Sequence, residues 1–199
     1  MRGRQLRSDE GAALAEAVIV TPVVVATVVA LVVGSVLWRD QLAADEAAAV
    51  GARAAALHPT VHGATSSPDG APLPAGTPLV AASVARALGG VPLGSVERVV
   101  VFGVTFGAET SSATVPTGCR DGSGPVEAEP CVVLGPEALA DPGSVPGCGR
   151  GACVWRDSPG VQLVGVLVRL RHPGRLGALV AAPTIEAIAL APLEGAGDG

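Results

Sequence analysis

An uncharged apolar run near the N-terminus constrains this chain more than any other sequence feature. It covers residues 17–38, reads AVIVTPVVVATVVALVVGSVLW, and is 22 residues long. A helix of that length spans about 33 Å, which matches a bilayer core of about 30 Å. A cleavable secretory signal, the competing interpretation, has an apolar region of only about 7 to 15 residues. The run therefore predicts a transmembrane helix, with Trp38 and Arg39 as anchors at its C-terminal end.

The charges on either side of this run predict its direction in the membrane. Arg2, Arg4 and Arg7 precede it, whereas Arg39 alone follows it closely. Because basic residues are retained on the cytoplasmic side, the N-terminus is expected in the cytoplasm. The chain is thus predicted to be a single-pass protein of the cytoplasmic membrane, with its larger C-terminal part extracytoplasmic.

Two features within the run bear on how the helix packs. Pro22 predicts a kink, which a membrane helix tolerates when neighbouring groups satisfy the released carbonyl. Ala26, Ala30 and Gly34 are spaced four apart, and such a small-residue face lets a second helix approach closely. Chance spacing in an alanine-rich chain is the alternative interpretation.

Composition excludes several classes of function. Of the 199 residues, 16% are charged, and the net charge is −5. All 13 basic residues are arginine, and they are not clustered as nucleic-acid binding requires. A phosphate-binding P-loop needs a lysine, and the catalytic patterns G-x-S-x-G and H-E-x-x-H do not occur. We therefore predict no enzymatic activity, no catalytic residue, no cofactor, no small-molecule substrate and no nucleic-acid partner.

The helical pattern continues beyond the apolar run. Residues 38–57 contain no helix breaker, and apolar residues recur there at steps of three and four. The predicted stripe consists of Ala43, Ala47, Val50, Ala54 and Leu57. His58 and Pro59 end the pattern, because proline cannot continue the hydrogen-bond ladder. A single helix over residues 12–57, about 69 Å long, is therefore expected after a cytoplasmic leader of residues 1–11.

The rest of the chain predicts a linker and a small α+β domain. Residues 59–78 contain five prolines and three glycines, a composition typical of a linker. Residues 79–199 form the predicted extracytoplasmic domain, whose first helix would have Thr77 as its N-cap and stop at Gly89.

Strand patterns in this domain predict a mostly antiparallel sheet. Runs rich in β-branched residues and alternating patterns identify the candidates. They are residues 96–106 and 161–171, with weaker signals at 131–134 and 185–190.

Four cysteines, Cys119, Cys131, Cys148 and Cys153, follow the predicted membrane span. An oxidising compartment favours disulfides, for which three connectivities exist. Pairing Cys119 with Cys131 and Cys148 with Cys153 closes the loops at the smallest entropy cost. Zinc is the alternative, although no C-x2-C pair and no nearby histidine support it. No metal site is predicted.

The remaining candidate groups have simpler interpretations. His58 and His62 are four apart, but Pro59 lies between them, which favours a solvated pair over a metal site. Arg169, Arg171 and Arg175 form the one local basic group beyond the leader. A solvated strand face is the preferred interpretation and an anion site the alternative.

The sequence directly before the span, RSDEGAALAEAVIVTP, places Glu16 five positions after Gly11. A carboxylate in a membrane costs on the order of a kcal/mol or more, so it has either a partner or a position at headgroup depth. The pattern resembles the class III signal of type IV pilins and pseudopilins. That resemblance implies cleavage after Gly11 by a prepilin peptidase, which leaves Ala12 as the new N-terminus. The Ala12 ammonium and the Glu16 carboxylate would then pair between neighbouring subunits.

A closer resemblance covers residues 9–57, which look like the TadE-like family of tight-adherence (Flp pilus) systems. Gly11, Glu16, Pro22 and the segment Gly51-Ala52-Arg53-Ala54 match its pattern in order, while Ala17 stands where the family usually has an aromatic residue. The resemblance implies a pilus-assembly or secretion role through helix packing. The implied partners are the membrane, pilins or Tad-type assembly proteins, and a prepilin peptidase.

Two other hypotheses remain open. One is an uncleaved single-pass membrane protein whose extracytoplasmic domain binds a ligand or a partner. The other is a membrane-anchored enzyme. Loss of residues 1–11 would favour the pseudopilin hypothesis, and their retention would favour the uncleaved membrane protein. A convergent polar pocket would favour the enzyme.

Overall fold

The structure is a computed structural model of the chain. Residues 6–17 are described by their backbone alone. The described residues are 6–57, 76–92, 95–105, 115, 117–121, 131–145, 161–171 and 184–193. They divide between two compact units, residues 1–40 and 41–199, which are treated separately below.

One long helix, α1, spans Leu6–Ala56 and contains Pro22. Its C-terminus agrees with the expectation, because the Leu57 N–H closes the last turn on the Arg53 carbonyl at 2.9 Å. Its N-terminus differs, because the helix begins six residues before Ala12. The leader is rich in good helix formers, and a single glycine costs only about 1 kcal/mol, so nothing stops the helix at Gly11.

The C-terminal unit has an α+β fold built on a four-stranded antiparallel sheet. Its strands are β1 (Val96–Thr105), β2 (Cys131–Leu134), β3 (Val161–Arg171) and β4 (Thr184–Pro192). Their order across the sheet is β2-β1-β3-β4. Every neighbouring pair is antiparallel, so the predicted sheet and its strands are confirmed, with the ends of β1 and β4 shifted by one or two residues.

In the described part of the C-terminal unit, three further α-helices and one 3-10 helix (Pro142–Ser144) accompany the sheet. The α-helices are α2 (Gly76–Ala87), α3 (Thr117–Asp121) and α4 (Pro136–Ala140). Helix α2 begins at Gly76, within the segment expected to be a linker, and Thr77 is buried inside it rather than capping it. Pro78 is tolerated there because the first turn of a helix needs no N–H donor.

The sheet is covered on both faces at its centre. Strand β3 has five consecutive buried residues, 164–168, whereas a half-exposed strand would alternate. We call the side of the sheet that carries Val166 the rear face and the side that carries Phe102 the front face. On the front face the Phe102 ring lies over Gly165, its register partner, in the space where a Cβ atom would sit.

Residues 41–56 of α1 lie against the rear face through a strip of small residues. A Cβ atom on Gly51 would come within 2.7 Å of a Val84 methyl carbon on α2 and 3.2 Å of a Val166 methyl carbon on β3. The helix backbone therefore lies closer to α2 than any other residue type would allow without a shift, and it lies in tight contact with β3. The buried strip consists of Ala44, Ala47, Ala48, Ala52, Ala55 and Ala56.

This strip corrects the predicted apolar stripe. Ala47 belongs to both, but Leu57 is 61% exposed, and Ala43, Val50 and Ala54 are only partly buried. The prediction placed Val50 and Leu57, the two largest members of the stripe, on the buried face. The helix instead buries its smallest side chains, because valines from α2 and β3 supply the bulk at the contact.

We expect Gly51→Val to lower the free energy of unfolding by about 1–3 kcal/mol, since the new side chain overpacks a close contact. Arg53→Val, at an exposed position two residues away on the same helix, serves as the control. Urea denaturation of the full chain in detergent micelles, followed by circular dichroism, measures both. Equal effects of the two substitutions would contradict the close packing at Gly51.

Candidate functional site

The first feature of functional interest is the exposed apolar surface of α1. Large aliphatic side chains are exposed all around the helix from Val18, which is 73% exposed, to Trp38, at 69%. A water-soluble monomer rarely exposes an apolar patch beyond a few hundred Å². Among the described residues, one helix, Val18–Ala56, is long and apolar enough to cross a membrane, and none of its most apolar window is buried.

Two polar side chains within this surface are satisfied by the helix itself. The Thr27 hydroxyl donates to the Val23 carbonyl at 2.8 Å, and the Ser35 hydroxyl donates to the Val32 carbonyl at 2.8 Å. Such bonds to the preceding turn remove the cost of placing a hydroxyl in an apolar medium. The surface is therefore compatible with hydrocarbon along its length.

The predicted packing face lies within this exposed surface. Ala26, Ala30 and Gly34 are all exposed, and a Cβ atom on Gly34 would meet no other atom within 4 Å. This glycine is therefore not needed for contacts inside the chain, in contrast to Gly51. Its packing against another helix stays a prediction.

The predicted processing site lies in the backbone-only part of α1. Gly11, Ala12 and Glu16 all fall within the helix, and their side chains lie outside the described part. Cleavage after Gly11 and the charge pairing of Glu16 therefore stay predictions, as does a kink at Pro22.

The structure describes two of the four cysteines. Cys119 and Cys131 form a disulfide, with Cα atoms 6.4 Å apart, and both residues are buried. This is the pair that the loop-closure argument favoured, and it leaves neither sulfur for zinc. Cys148 and Cys153 lie outside the described residues. No group of three or more metal-ligating side chains occurs in the described part of the chain.

The disulfide joins α3 to the front face of the sheet. Cys119 belongs to α3 and Cys131 to β2, and both are part of a buried cluster that includes Phe102. The other members of the cluster are Val100, Val104, Val115 and Leu167. The short helix α3 is thus held over the core by a covalent bond.

An ionic cluster lies beside the disulfide at one end of the front face. We use this name for Glu97, Arg98, Arg120, Arg169 and Glu186. Arg98 and Arg169 are directly opposite each other on β1 and β3. Both donate to the Arg120 carbonyl of α3, at 3.0 and 3.5 Å.

Carboxylates complete this cluster. The Arg169 Nε atom is 3.4 Å from a carboxylate oxygen of Glu97 and 3.4 Å from one of Glu186. The Arg120 guanidinium lies 2.7 Å from the other Glu186 oxygen and so links α3 to β4. Glu97 also pairs with Arg98. Each arginine therefore lies within ion-pair distance of a carboxylate, although the buried Arg169 Nε makes no hydrogen bond. The cluster links α3 to three strands and is not an open anion site.

Only part of this cluster was predicted from the sequence. Arg169 belongs to it, whereas Arg171 is exposed at the end of β3 and Arg175 lies outside the described residues. The other four members were missed because they come from three segments, residues 97–98, 120 and 186, that are far apart in sequence. A charged residue within an otherwise apolar strand, such as Glu186 in TIEAIALAP, is the signal that indicates a paired charge.

Comparison with protein-family models, with curated proteins and with solved structures finds no match for this chain.

We expect the double substitution of Cys119 and Cys131 by serine to lower the free energy of unfolding by about 2–4 kcal/mol, since the short loop is no longer closed. Urea denaturation of the oxidised full chain in micelles measures the change. Changing both residues avoids leaving a lone reactive thiol. If the double variant unfolds at the wild-type urea concentration, the two residues are not bonded in the protein.

Proposed function

We propose that this chain is a TadE-like pseudopilin or pilus-assembly protein of a tight-adherence (Flp-type) pilus or secretion system. It acts by helix packing and not by catalysis. The observation that carries the proposal is the division of α1 into a largely exposed apolar segment, residues 18–38, and a segment packed on the domain through small residues. The resemblance over residues 9–57 supports the family.

Membrane insertion of the exposed half has a clear physical basis. Moving a large aliphatic side chain out of water gains about 1.5–3 kcal/mol, and α1 exposes such side chains repeatedly between Val18 and Val36. We place this segment in the cytoplasmic membrane as a single span. The basic leader would hold the N-terminus in the cytoplasm, and the sheet domain would lie outside.

The extracytoplasmic location suits the domain. Disulfides persist in oxidising compartments, and this domain has a buried disulfide between α3 and β2. Its core is made mainly of valine, leucine and alanine, so a covalent link contributes to its stability. The domain would therefore remain folded outside the cell while the span packs with its partners.

The proposed mechanism uses three sites along the span. A prepilin peptidase would cut after Gly11 and leave the Ala12 ammonium at the membrane surface. Glu16 would pair with such an ammonium on a neighbouring subunit, a strong interaction in a medium of low dielectric constant. Ala26, Ala30 and Gly34 would then allow a pilin or assembly helix to approach closely.

A second candidate is an uncleaved single-pass protein whose outer domain binds a partner. An exposed apolar stretch on β4, with Ile188 48% and Leu190 41% exposed, favours a binding surface on the domain. The two functions differ in the fate of the leader and in the role of the membrane segment.

We expect the mature chain in its native membrane to lack residues 1–11, and Gly11→Val to block this cleavage. The intact mass of chain extracted without reductant measures both. Gly3→Val, in the same leader, is the control and should be processed normally. A full-length mass for the wild-type chain would overturn the pseudopilin proposal and favour the fixed anchor.

We expect Gly34→Leu to reduce incorporation into a membrane assembly at least about tenfold, the effect of losing roughly 1.4 kcal/mol at a helix contact. The domain should stay folded, because open space surrounds Gly34 in the chain itself. Val36→Leu is the control at an exposed position two residues away. The amount of chain in the high-mass complex on native gels measures the effect, and equal incorporation of both variants would show that this face does not pack.

A further inference from the structure

Helix α3 is too short and too polar to hold its place by itself. It consists of the five residues Thr117–Asp121, with the sequence TGCRD, and an isolated helix of that length is not stable in water. Cys119 is the only one of the five with an apolar side chain. Val115, just before the helix, is buried in the same cluster as Cys119. The helix therefore needs contacts with the sheet in order to form.

The ionic cluster attaches α3 to the sheet at a point away from the disulfide. Arg98 and Arg169 donate to the Arg120 carbonyl at 3.0 and 3.5 Å. The Arg120 guanidinium lies 2.7 Å from Glu186 on β4. Cys131, by contrast, pairs with β1 at a position about 13 Å along the strand from Arg98. The helix is thus held at two separate points, one ionic and one covalent.

The sheet half of the ionic attachment does not depend on the disulfide. Arg98, Arg169 and Glu186 form one row across β1, β3 and β4, and these three strands contain no cysteine. Backbone pairing aligns the row, and the same sheet places Cys131 on β2. The reduced chain can therefore assemble the docking site for α3 before any cysteine is oxidised.

Loop length alone selects the observed disulfide only weakly. The probability that two cysteines meet falls as about the 3/2 power of the loop length between them. Cys119 is 12 residues from Cys131, and Cys148 lies less than one and a half times as far in the other direction. Chain entropy therefore favours Cys119 over Cys148 as the partner of Cys131 by less than about twofold. A selective pairing needs a contact that brings Cys119 to Cys131.

We propose that the ionic cluster docks α3 on the sheet before oxidation and thereby selects Cys131 as the partner of Cys119. The cluster fixes Arg120, the direct neighbour of Cys119, so the two thiols meet at a high effective concentration. A small disulfide such as oxidised glutathione is the oxidant. Its S–S bond breaks, it takes up the two protons and two electrons of the thiols, and it leaves as two thiol molecules while the S–S bond forms in the chain.

The inference rests on the C-terminal unit and does not require the proposed function. The full chain in micelles is reduced and unfolded in urea, then returned to native conditions with oxidised glutathione, and free thiols are blocked at early times. A glutamate-specific protease separates the cysteines, because Glu127 lies between Cys119 and Cys131, and Glu137 lies between Cys131 and Cys148. Mass spectrometry then gives the ratio of the Cys119–Cys131 pair to all other pairs of Cys119.

We expect Arg120→Glu to lower this ratio at least about fivefold, because the new carboxylate repels Glu186 instead of attracting it. Arg171→Glu makes the same change in net charge at an exposed position of β3 and should leave the ratio unchanged. An equal fall in both variants, or no fall in Arg120→Glu, would overturn the proposal.

Salt gives a second measurement, which uses the wild-type chain and so does not depend on the folding of a variant. Because ions screen partly exposed charges, refolding at about 1 M salt should lower the wild-type ratio at least about twofold. The ratio of Arg120→Glu should instead rise, since salt there screens a repulsion. A wild-type ratio that does not fall with salt would show that apolar packing, and not the ionic cluster, brings the two cysteines together.

Discussion

The close approach of α1 to the sheet at Gly51 is the contact on which the C-terminal unit depends. With no side chain at that position, valines from α2 and β3 reach the helix backbone. Dispersion attraction falls steeply with distance, so this proximity compensates for the small size of the alanines around it. A domain with two phenylalanines and no tyrosine thereby builds its core mainly from valine, leucine and alanine.

Helix α1 has large exposed side chains in one segment and small buried side chains in the next. Between Val18 and Trp38 its large residues face outward, whereas between Ala44 and Ala56 the small residues are buried. Size rather than hydrophobicity separates the exposed side chains of the first half from the buried strip of the second, since both sets are apolar. Close packing selects alanine and glycine where protein surrounds the helix, and valine and leucine dominate where no described part of the chain covers it.

The sequence was sufficient to predict the helix, the four strands and one disulfide pair, because these depend on local periodicity and loop length. It was insufficient for the face of α1 that packs, since that choice depends on Val84 and Val166, which are distant in sequence. The ionic cluster was missed for the same reason. Arg98 and Arg120 acquire their roles only after the strands align, and no local pattern of charge marks that alignment.

The pairing of Phe102 with Gly165 has a consequence for how the chain finds its fold. A slip of one residue between β1 and β3 would turn the ring to the opposite face. A slip of two residues would set the Phe102 ring against Leu163 or Leu167. The side chain of either leucine would occupy the space that the ring fills above Gly165. Gly165 thus permits only one register between β1 and β3. Without it, these two valine-rich strands could pair in several registers.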